Sequence, residues 1–328
     1  MAASGFAASC QAHSPSALRP GGPAAQHIAT LWWYLLAVGG LIWLGVMALL
    51  ALALWRRRNG APAAGLSPPN TSGRALTRAS RWIVGGGVVM PVMALTVTYL
   101  VALFTQRAIP SEVPGALEID VIGRQWWWEV RYPQYSVVTA NEIHIPAGAP
   151  VNIRLTTADV IHSFWVPELH GKLDLIPGST NTLVLQADTP GEYRGQCAEF
   201  CGVQHAKMAL LVIADEPAEF EAWLAGQQLP AAAPSEAAAL AGQQVFLNST
   251  CSYCHTIRGT QAGGEVGPDL THLASRRTLA ANTVLNTRGP LAGWVLDPQG
   301  IKPGNHMPAS DLSPEDLQAL LAYLESLQ

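Results

Sequence analysis

The chain has 328 residues, of which 49% are hydrophobic and only 13% are charged, and its net charge is −4 at pH 7. This length allows two or three domains, and a charged share well below about 25% argues against a purely soluble protein. No acidic residue precedes Glu112, so the chain divides into a basic first part and an acidic remainder. The acidic remainder argues against nucleic acid as a partner; it suits a basic protein partner or simply an ordinary soluble domain.

The first segment of the chain is rich in Ala, Ser, Pro and Gly. Its composition predicts that residues 1–27 are disordered. Cys10 follows a faint lipoprotein cleavage pattern, but no apolar stretch precedes it, and this favours an incidental cysteine.

Two uncharged apolar runs follow, from Ile28 to Trp55 and from Trp82 to Gln106. Each exceeds the ~20 residues that cross a bilayer. Buried core helices are the alternative, but two such runs would make an unusual soluble core. We therefore predict a membrane protein with a two-helix transmembrane hairpin over residues 28–107.

Arginines are concentrated between the two runs, and the predicted loop 56–81 contains Arg56, Arg57, Arg58, Arg74, Arg78 and Arg81. Short loops rich in Lys and Arg stay on the cytoplasmic side. In a bacterium, the chain would cross the inner membrane twice, with both termini and the large acidic region in the periplasm.

From Glu118 onward, the sequence contains short runs of residues that favour β-strands, separated by turns such as Pro146-Ala-Gly148 and Pro190-Gly191. Regularly spaced strands of this kind predict a β-sandwich. We place this domain at residues 112–225, followed by a Pro/Ala-rich linker at 226–238. Residues 239–328 have helical patterns and predict a small all-α domain, with a capped last helix beginning at Ser313.

The segment from Cys197 to Met208 carries two thiols, an imidazole and a thioether, supplied by Cys197, Cys201, His205 and Met208. Soft sulfur with imidazole is the donor set that copper selects. A mononuclear copper site needs one cysteine, whereas two neighbouring thiolates can each bridge two metals, and this indicates a binuclear centre. His162, next to a predicted strand, is the natural remote ligand. A disulfide or half a zinc site are the alternatives, although zinc rarely takes methionine.

A second motif, Cys251-Ser-Tyr-Cys254-His255, is the attachment pattern of c-type haem. Its cysteines bind the porphyrin and His255 binds the iron. Met307 is the predicted sixth ligand, because it is the single methionine after His255. His306 is the competing ligand, and a thioredoxin-like motif or a zinc site are alternatives for the cysteines.

These residues resemble those of cytochrome c oxidase subunit II, whose binuclear copper centre is called CuA. The resemblance covers residues from about 28 to about 225 and includes the run Trp126-Trp-Trp, Asp159-Val-Ile-His162 and Lys172 to Gly178. It implies an all-β, cupredoxin-like Greek-key sandwich. Residues 239–328 resemble class I cytochromes c, and the fusion resembles the caa3 type.

The resemblance also implies roles for individual residues. Cys197 and Cys201 would bridge both coppers, His162 and His205 would each bind one, and Met208 and the carbonyl of Glu199 would be weak axial ligands. The Glu199 side chain would help hold Mg²⁺ shared with subunit I. Electrons would enter the copper centre through Trp126.

We therefore expect the electron-accepting subunit of a proton-motive haem–copper oxidase. Electrons would pass from a soluble or membrane-bound cytochrome c through haem c and CuA to haem a of subunit I, where O₂ is reduced to water. Subunits I and III and the membrane are the expected partners, without nucleic acid. Delivery to a nitric-oxide or nitrous-oxide reductase and a membrane-tethered copper carrier are the alternatives.

Overall fold

The computed structural model describes residues 14–59 and 73–328, without the side chains of residues 73–76 and 78–79. The chain divides into two compact units, one comprising residues 27–109 and the other comprising the N-terminal residues up to Gln26 together with residues 110–328. Cys10 and the middle of the predicted loop 56–81 lie outside the described residues.

The first unit is helical, with α1 (Pro23–Arg58), α2 (Gly73–Val84) and α3 (Met90–Ala108). The apolar stretches within Pro23–Arg58 and Ser80–Ala108 are long enough to cross a membrane and are not buried within the protein. A π-helical turn, Gly85–Val89, joins α2 to α3. Pro91 has no N–H to donate to the carbonyl of Gly87, and glycines give the backbone freedom, so the helix is distorted at this point.

Residues 14–27 differ from the prediction of disorder. Helix α1 already begins at Pro23, and the backbone before it is hydrogen-bonded to the β-rich unit: Gly21 N–H donates to the carbonyl of Glu168 at 2.6 Å, and Asp188 N–H donates to the carbonyl of Gly21 at 2.8 Å. A Cβ at Gly22 would lie 2.0 Å from the carbonyl oxygen of Gln186. The small residues that suggested disorder instead allow a close approach of two backbones.

The second unit begins with ten strands that form a β-sandwich, called here the β-sandwich domain. The strands are β1 (Leu117–Arg124), β2 (Trp127–Tyr132), β3 (Val137–Ala140), β4 (Glu142–Pro146), β5 (Val151–Thr157), β6 (His162–Trp165), β7 (Leu173–Leu175), β8 (Asn181–Leu185), β9 (Gly191–Cys197) and β10 (Ala209–Asp215).

These strands form two mixed five-stranded sheets, ordered β3-β2-β1-β5-β8 and β4-β10-β9-β6-β7. The pairs β1–β5 and β4–β10 are parallel, and neighbours are often distant in sequence, as in a Greek key. Buried side chains alternate along β1, and the edge-to-face rings of Trp128 and Phe164 lie 6.0 Å apart in the core. The predicted cupredoxin-like sandwich is confirmed.

Helix α4 (Pro217–Gln228) follows and buries Phe220 and Leu224. The predicted linker, 226–238, therefore begins inside a helix, which ends shortly before Pro230. Beyond the helix the linker is bound to the C-terminal part of the chain, because Ala231 N–H donates to the carbonyl of Arg258 at 2.9 Å and a ring nitrogen of His272 lies 3.0 Å from the carbonyl of Leu229. The linker residues are therefore held by the C-terminal part of the chain and do not form a freely flexible tether.

The remaining residues form the C-terminal domain. Its elements are α5 (Ala237–Asn248), α6 (Cys251–Cys254), β11 (Thr278–Leu279), β12 (Val284–Leu285), α7 (Arg288–Leu296), α8 (Pro298–Ile301) and α9 (Pro314–Glu325). Helices α5 and α9 cross closely at Gly242, where a Cβ would lie 1.9 Å from the carbonyl oxygen of Ala319. Ser313 Oγ accepts from Asp316 N–H at 3.1 Å and caps α9 as predicted. The helical cytochrome-like domain is confirmed, with a short hairpin, β11–β12, added.

Candidate copper and haem sites

The predicted copper ligands meet at one end of the β-sandwich domain. His162 is the first residue of β6 and Cys197 the last residue of β9, and these two strands pair with Phe164 opposite Cys197. The other ligands lie in the loop between β9 and β10. Cys197 N–H donates to the carbonyl of Met208 at 2.8 Å, which closes the loop at its base.

The donor atoms form a compact group. The two sulfur atoms of Cys197 and Cys201 are 3.8 Å apart, far beyond the ~2.05 Å of a disulfide. His162 Nδ1 lies 3.9 Å from Cys197 Sγ, and His205 Nδ1 lies 3.7 Å from Cys201 Sγ. Met208 Sδ lies 3.8 Å from Cys201 Sγ, and the carbonyl oxygen of Glu199 lies 3.2 Å from Cys197 Sγ. The structure thus brings all six predicted ligands together, with one imidazole beside each of the two cysteine sulfurs.

The hydrogen bond between the two thiols separates their pKa values. The pKa of Cys197 is lowered, first by this hydrogen bond and despite burial, with His162 adding to the effect. The pKa of Cys201 is raised, chiefly by the same hydrogen bond, with burial adding to the effect. Burial by itself lowers the pKa of His162, but contacts with Cys197 and Asp159 outweigh burial and raise it. A soft, anionic donor set of this kind fits copper, which replaces the protons.

Two further residues hold His162 in place, and both were missed in the sequence. Asp159 Oδ1 lies 2.8 Å from His162 Nε2, which leaves Nδ1 to face Cys197. A Cβ at Gly123 would lie 2.7 Å from His162 Cδ2, so glycine gives the ring its space. The three-residue spacing of Asp159 and His162 was the available signal for this orienting carboxylate.

Trp126 connects the copper ligands to the second cavity. It lies in the turn between β1 and β2, not within a strand, and is 8% exposed. Its Nε1–H donates to the carbonyl of Cys201 at 3.0 Å, and Gln125 Nε2 donates to the same oxygen at 2.8 Å. On its other side, the indole lies 5.1 Å from the ring of His306, centroid to centroid.

The side chain of Glu199 points away from the sulfur group. Its carboxylate is half-exposed and lies 3.5 Å from Lys172 Nζ. Among the described residues, the group of His, Cys, Asp and Glu side chains able to hold a metal consists of His162, Cys197 and Cys201. Within the part of the chain that the structure describes, Glu199 thus belongs to no group of three or more such side chains.

A cavity of about 240 Å³ lies where the C-terminal domain meets the β-sandwich domain. Its walls include Cys251, Cys254, His255 and Met307 from one domain and Trp126 from the other. The four expected haem-binding residues therefore surround one space. His306 also lines this cavity, with its ring against Trp126.

His255 is prepared for iron by its neighbours. Its Nδ1 lies 2.7 Å from the carbonyl oxygen of Pro268, so Nδ1 carries the proton and Nε2 has the free lone pair. Burial, the largest cause, lowers the pKa of His255 and favours the neutral ring. A Cβ at Gly267 would lie 2.5 Å from the ring. The cysteines, the neutral imidazole and the methionine fit a covalently bound haem.

Comparisons with known proteins agree with this geometry. Two families match the chain: cytochrome c oxidase subunit II, periplasmic domain, over residues 136–215, and cytochrome c over residues 239–328. The cytochrome c oxidase subunit 2 of Alkalihalophilus pseudofirmus is 36% identical over 95% of this chain and 91% of its own. The quinol oxidase subunit 2 of Bacillus cereus is 32% identical over 63% of this chain and 71% of its own.

Among solved structures, the periplasmic domain of subunit II of cytochrome oxidase of Bradyrhizobium japonicum is 32% identical. The structural match covers 36% of this chain and 97% of the Bradyrhizobium chain, with a TM-score of 0.35. The alignment with the Alkalihalophilus relative extends along nearly the whole chain. The chain belongs to the cytochrome c oxidase subunit II family, part of a haem–copper terminal oxidase, and carries a C-terminal cytochrome c domain.

Proposed function

We propose that this chain receives electrons from an external cytochrome c and passes them, by way of haem c and a binuclear CuA centre, to haem a of subunit I. One observation supports the proposal most: Trp126 touches both sites. It lines the haem cavity and donates a hydrogen bond to the carbonyl of Cys201, a copper ligand.

Each group would be held by its own set of residues. Cys251 and Cys254 would bind the haem covalently, and His255 and Met307 would bind its iron. The copper ligands would be His162, Cys197, the Glu199 carbonyl, Cys201, His205 and Met208. When bound, the haem and the copper pair supply reversible one-electron redox chemistry.

Trp126 has a positioning and bridging task. Its indole fills the space between the two sites and is nearly inaccessible to water. The hydrogen bond to the Cys201 carbonyl fixes the ring relative to the copper ligands. The packed contact leaves no need for diffusion between haem c and copper.

The haem cavity favours a cytochrome donor over a quinol donor. The relative from Bacillus cereus is named a quinol oxidase subunit, so both donor classes occur among the chain's relatives. This chain has a complete haem c residue set and a soft copper donor set, and both suit electrons that arrive one at a time from a protein.

The membrane part completes the arrangement. We propose that the apolar helices cross the bacterial inner membrane, with the arginines around Arg56 in the cytoplasm and the β-sandwich and C-terminal domains in the periplasm. Subunit I, and with it subunit III, would cover the apolar helices. Glu199 would help hold a shared Mg²⁺ when subunit I supplies the other ligands.

The test is the haem-to-copper step in the purified oxidase complex. Stopped-flow reduction by reduced cytochrome c should show haem c reduced first and copper second, with a second step independent of protein concentration. Trp126→Leu should slow this second step by about tenfold or more, because the rigid contact between the two sites is lost. Trp223→Leu is the matched control, because this tryptophan on α4 packs on Tyr132 and His144 and does not line the haem cavity. A concentration-dependent second step, or equal rates in both variants, would contradict the proposal.

A further inference from the structure

The β-sandwich domain and the C-terminal domain meet across two buried charged side chains. Glu142, at the start of β4, is 2% exposed, and Lys302, which follows α8, is 3% exposed. Burying an ionic group costs free energy unless hydrogen bonds replace its water. The partners of each group therefore reveal what the interface requires.

Glu142 belongs to the β-sandwich domain, but its carboxylate is bound by the C-terminal domain. Arg277 N–H lies 2.9 Å from Oε1 and 3.2 Å from Oε2. Thr278 N–H and Thr278 Oγ1 donate to Oε1 at 3.0 and 3.2 Å. These donors lie at the start of β11, so the carboxylate exchanges water for backbone amides only when the domains are docked.

Lys302 makes the reciprocal contact. This side chain belongs to the C-terminal domain, and its Nζ donates to the carbonyl of Trp126 at 3.0 Å. It also donates to the carbonyl of Ala280 in its own domain at 3.2 Å. Burial, the largest cause, lowers the pKa of Lys302 to about 8. The ammonium therefore gains little net stability, and its contact mainly fixes where Trp126 lies relative to the segment before Met307.

Smaller contacts surround these two groups. Gln204 Nε2 donates to the carbonyl of Pro303 at 2.5 Å, and Ala209 N–H donates to the carbonyl of Ala281 at 3.3 Å. Arg277 also forms an exposed ion pair with Glu192. Several directional bonds across one interface define a single relative orientation, unlike a non-directional apolar contact.

We propose that Glu142 is a positioning residue that docks the C-terminal domain on the β-sandwich domain in the one orientation that sets Trp126 in the wall of the haem cavity. Lys302 supports the same orientation from the other side. The positioning role rests on the proposed function, whereas the docking itself does not. Electron transfer within the chain is then a property of a fixed contact, and not of a domain that swings on its linker.

The test uses the full-length chain in the oxidase complex, loaded with haem and copper. Three variants are compared with the parent: Glu142→Ala, Glu142→Gln and, as the matched control, Glu118→Ala, which removes an exposed acid from β1. Haem absorption and copper EPR spectra first show that both domains are folded. Hydrogen–deuterium exchange then reports on the amides of Arg277 and Thr278, and laser-triggered haem reduction reports on the haem-to-copper rate at several solvent viscosities.

In Glu142→Ala, the two amides should exchange about ten- to a hundredfold faster, as expected for the loss of hydrogen bonds to a charged acceptor. Its haem-to-copper rate should fall and become dependent on viscosity. Glu142→Gln keeps one acceptor oxygen and should recover part of both effects, whereas Glu118→Ala should match the parent. If the alanine variant does not fold, the amide exchange and the haem-to-copper rate of Glu142→Gln are compared with those of the parent instead.

Unchanged exchange at Arg277 and Thr278 would overturn the proposal. Faster exchange with an unchanged, viscosity-independent rate would also overturn it, because the orientation would then not matter for the transfer. Failure of the parent itself to transfer electrons from haem to copper would refute the proposed function, while the amide exchange would still decide whether Glu142 docks the domains.

Discussion

Asp159 should control the copper affinity of this chain although it is not a copper ligand. Its carboxylate lies 2.8 Å from His162 Nε2 and also accepts from the N–H groups of Gln125 at 2.7 Å and Val160 at 2.6 Å. The two backbone groups lie at the surface and can turn to water after Asp159→Ala. His162 is fully buried, so its ring loses the partner that selects its orientation.

The expected cost follows from these contacts. Loss of a carboxylate that orients a metal-bound imidazole lowers affinity by about 10- to 100-fold. The free energy of unfolding of the metal-free domain should fall by about 1.5–3 kcal/mol, the range for a hydrogen bond to a charged group. Asp159→Asn keeps an acceptor for the ring and should lose less affinity than the alanine variant.

The assay is copper competition against a chelator, followed by EPR on the full-length chain. Asp188→Ala removes an exposed acid from the same domain and serves as the control. If Asp159→Ala retained the copper affinity and EPR spectrum of the parent, Asp159 would have no orienting role. Equal losses in Asp159→Ala and Asp188→Ala would attribute the effect to net charge instead.

Three other predictions concern the C-terminal domain. Met307→Ala should lower the haem reduction potential and abolish the absorption spectrum of a methionine-bound haem, whereas His306→Ala should keep that spectrum; the reverse result would make His306 the ligand. Gly242→Val should lower the thermal stability of the domain by more than ~2 kcal/mol, because a Cβ already collides with Ala319, and unchanged melting would contradict this packing. Burial lowers the pKa of Lys302 to about 8, so between about pH 8 and 10 the unfolded lysine binds a proton that the folded lysine has lost. The free energy of unfolding should therefore rise with pH from about 8 to about 10. Thermal melts at several pH values check this, because Lys302→Met should lack the rise.

The sequence predicted the two sites because their ligands lie in dense local motifs. Cys197, Cys201, His205 and Met208 fall within twelve residues, and Cys251 to His255 within five. His162 was found from its position beside a predicted strand, since strands bring distant residues to one end of a sandwich. The two apolar stretches of membrane-spanning length were visible because hydrophobic length is read directly from the sequence.

Contacts between distant segments were not predictable in this way. Glu142 and Arg277 are separated by more than a hundred positions, and nothing near either residue in the sequence indicates the other. The same limit applies to Trp126, whose ring lies against His306, a residue far away in the sequence. Residues 14–27 show the opposite error, because glycine and alanine are common both in disorder and in close backbone packing.

Metal analysis combined with a low-temperature copper EPR spectrum of the purified full-length chain distinguishes a binuclear copper centre from every other use of these cysteines. We expect two copper ions and one haem per chain, with one unpaired electron shared equally by two copper nuclei in the hyperfine pattern. A single copper with the hyperfine pattern of one nucleus, or a disulfide between Cys197 and Cys201, would contradict this expectation.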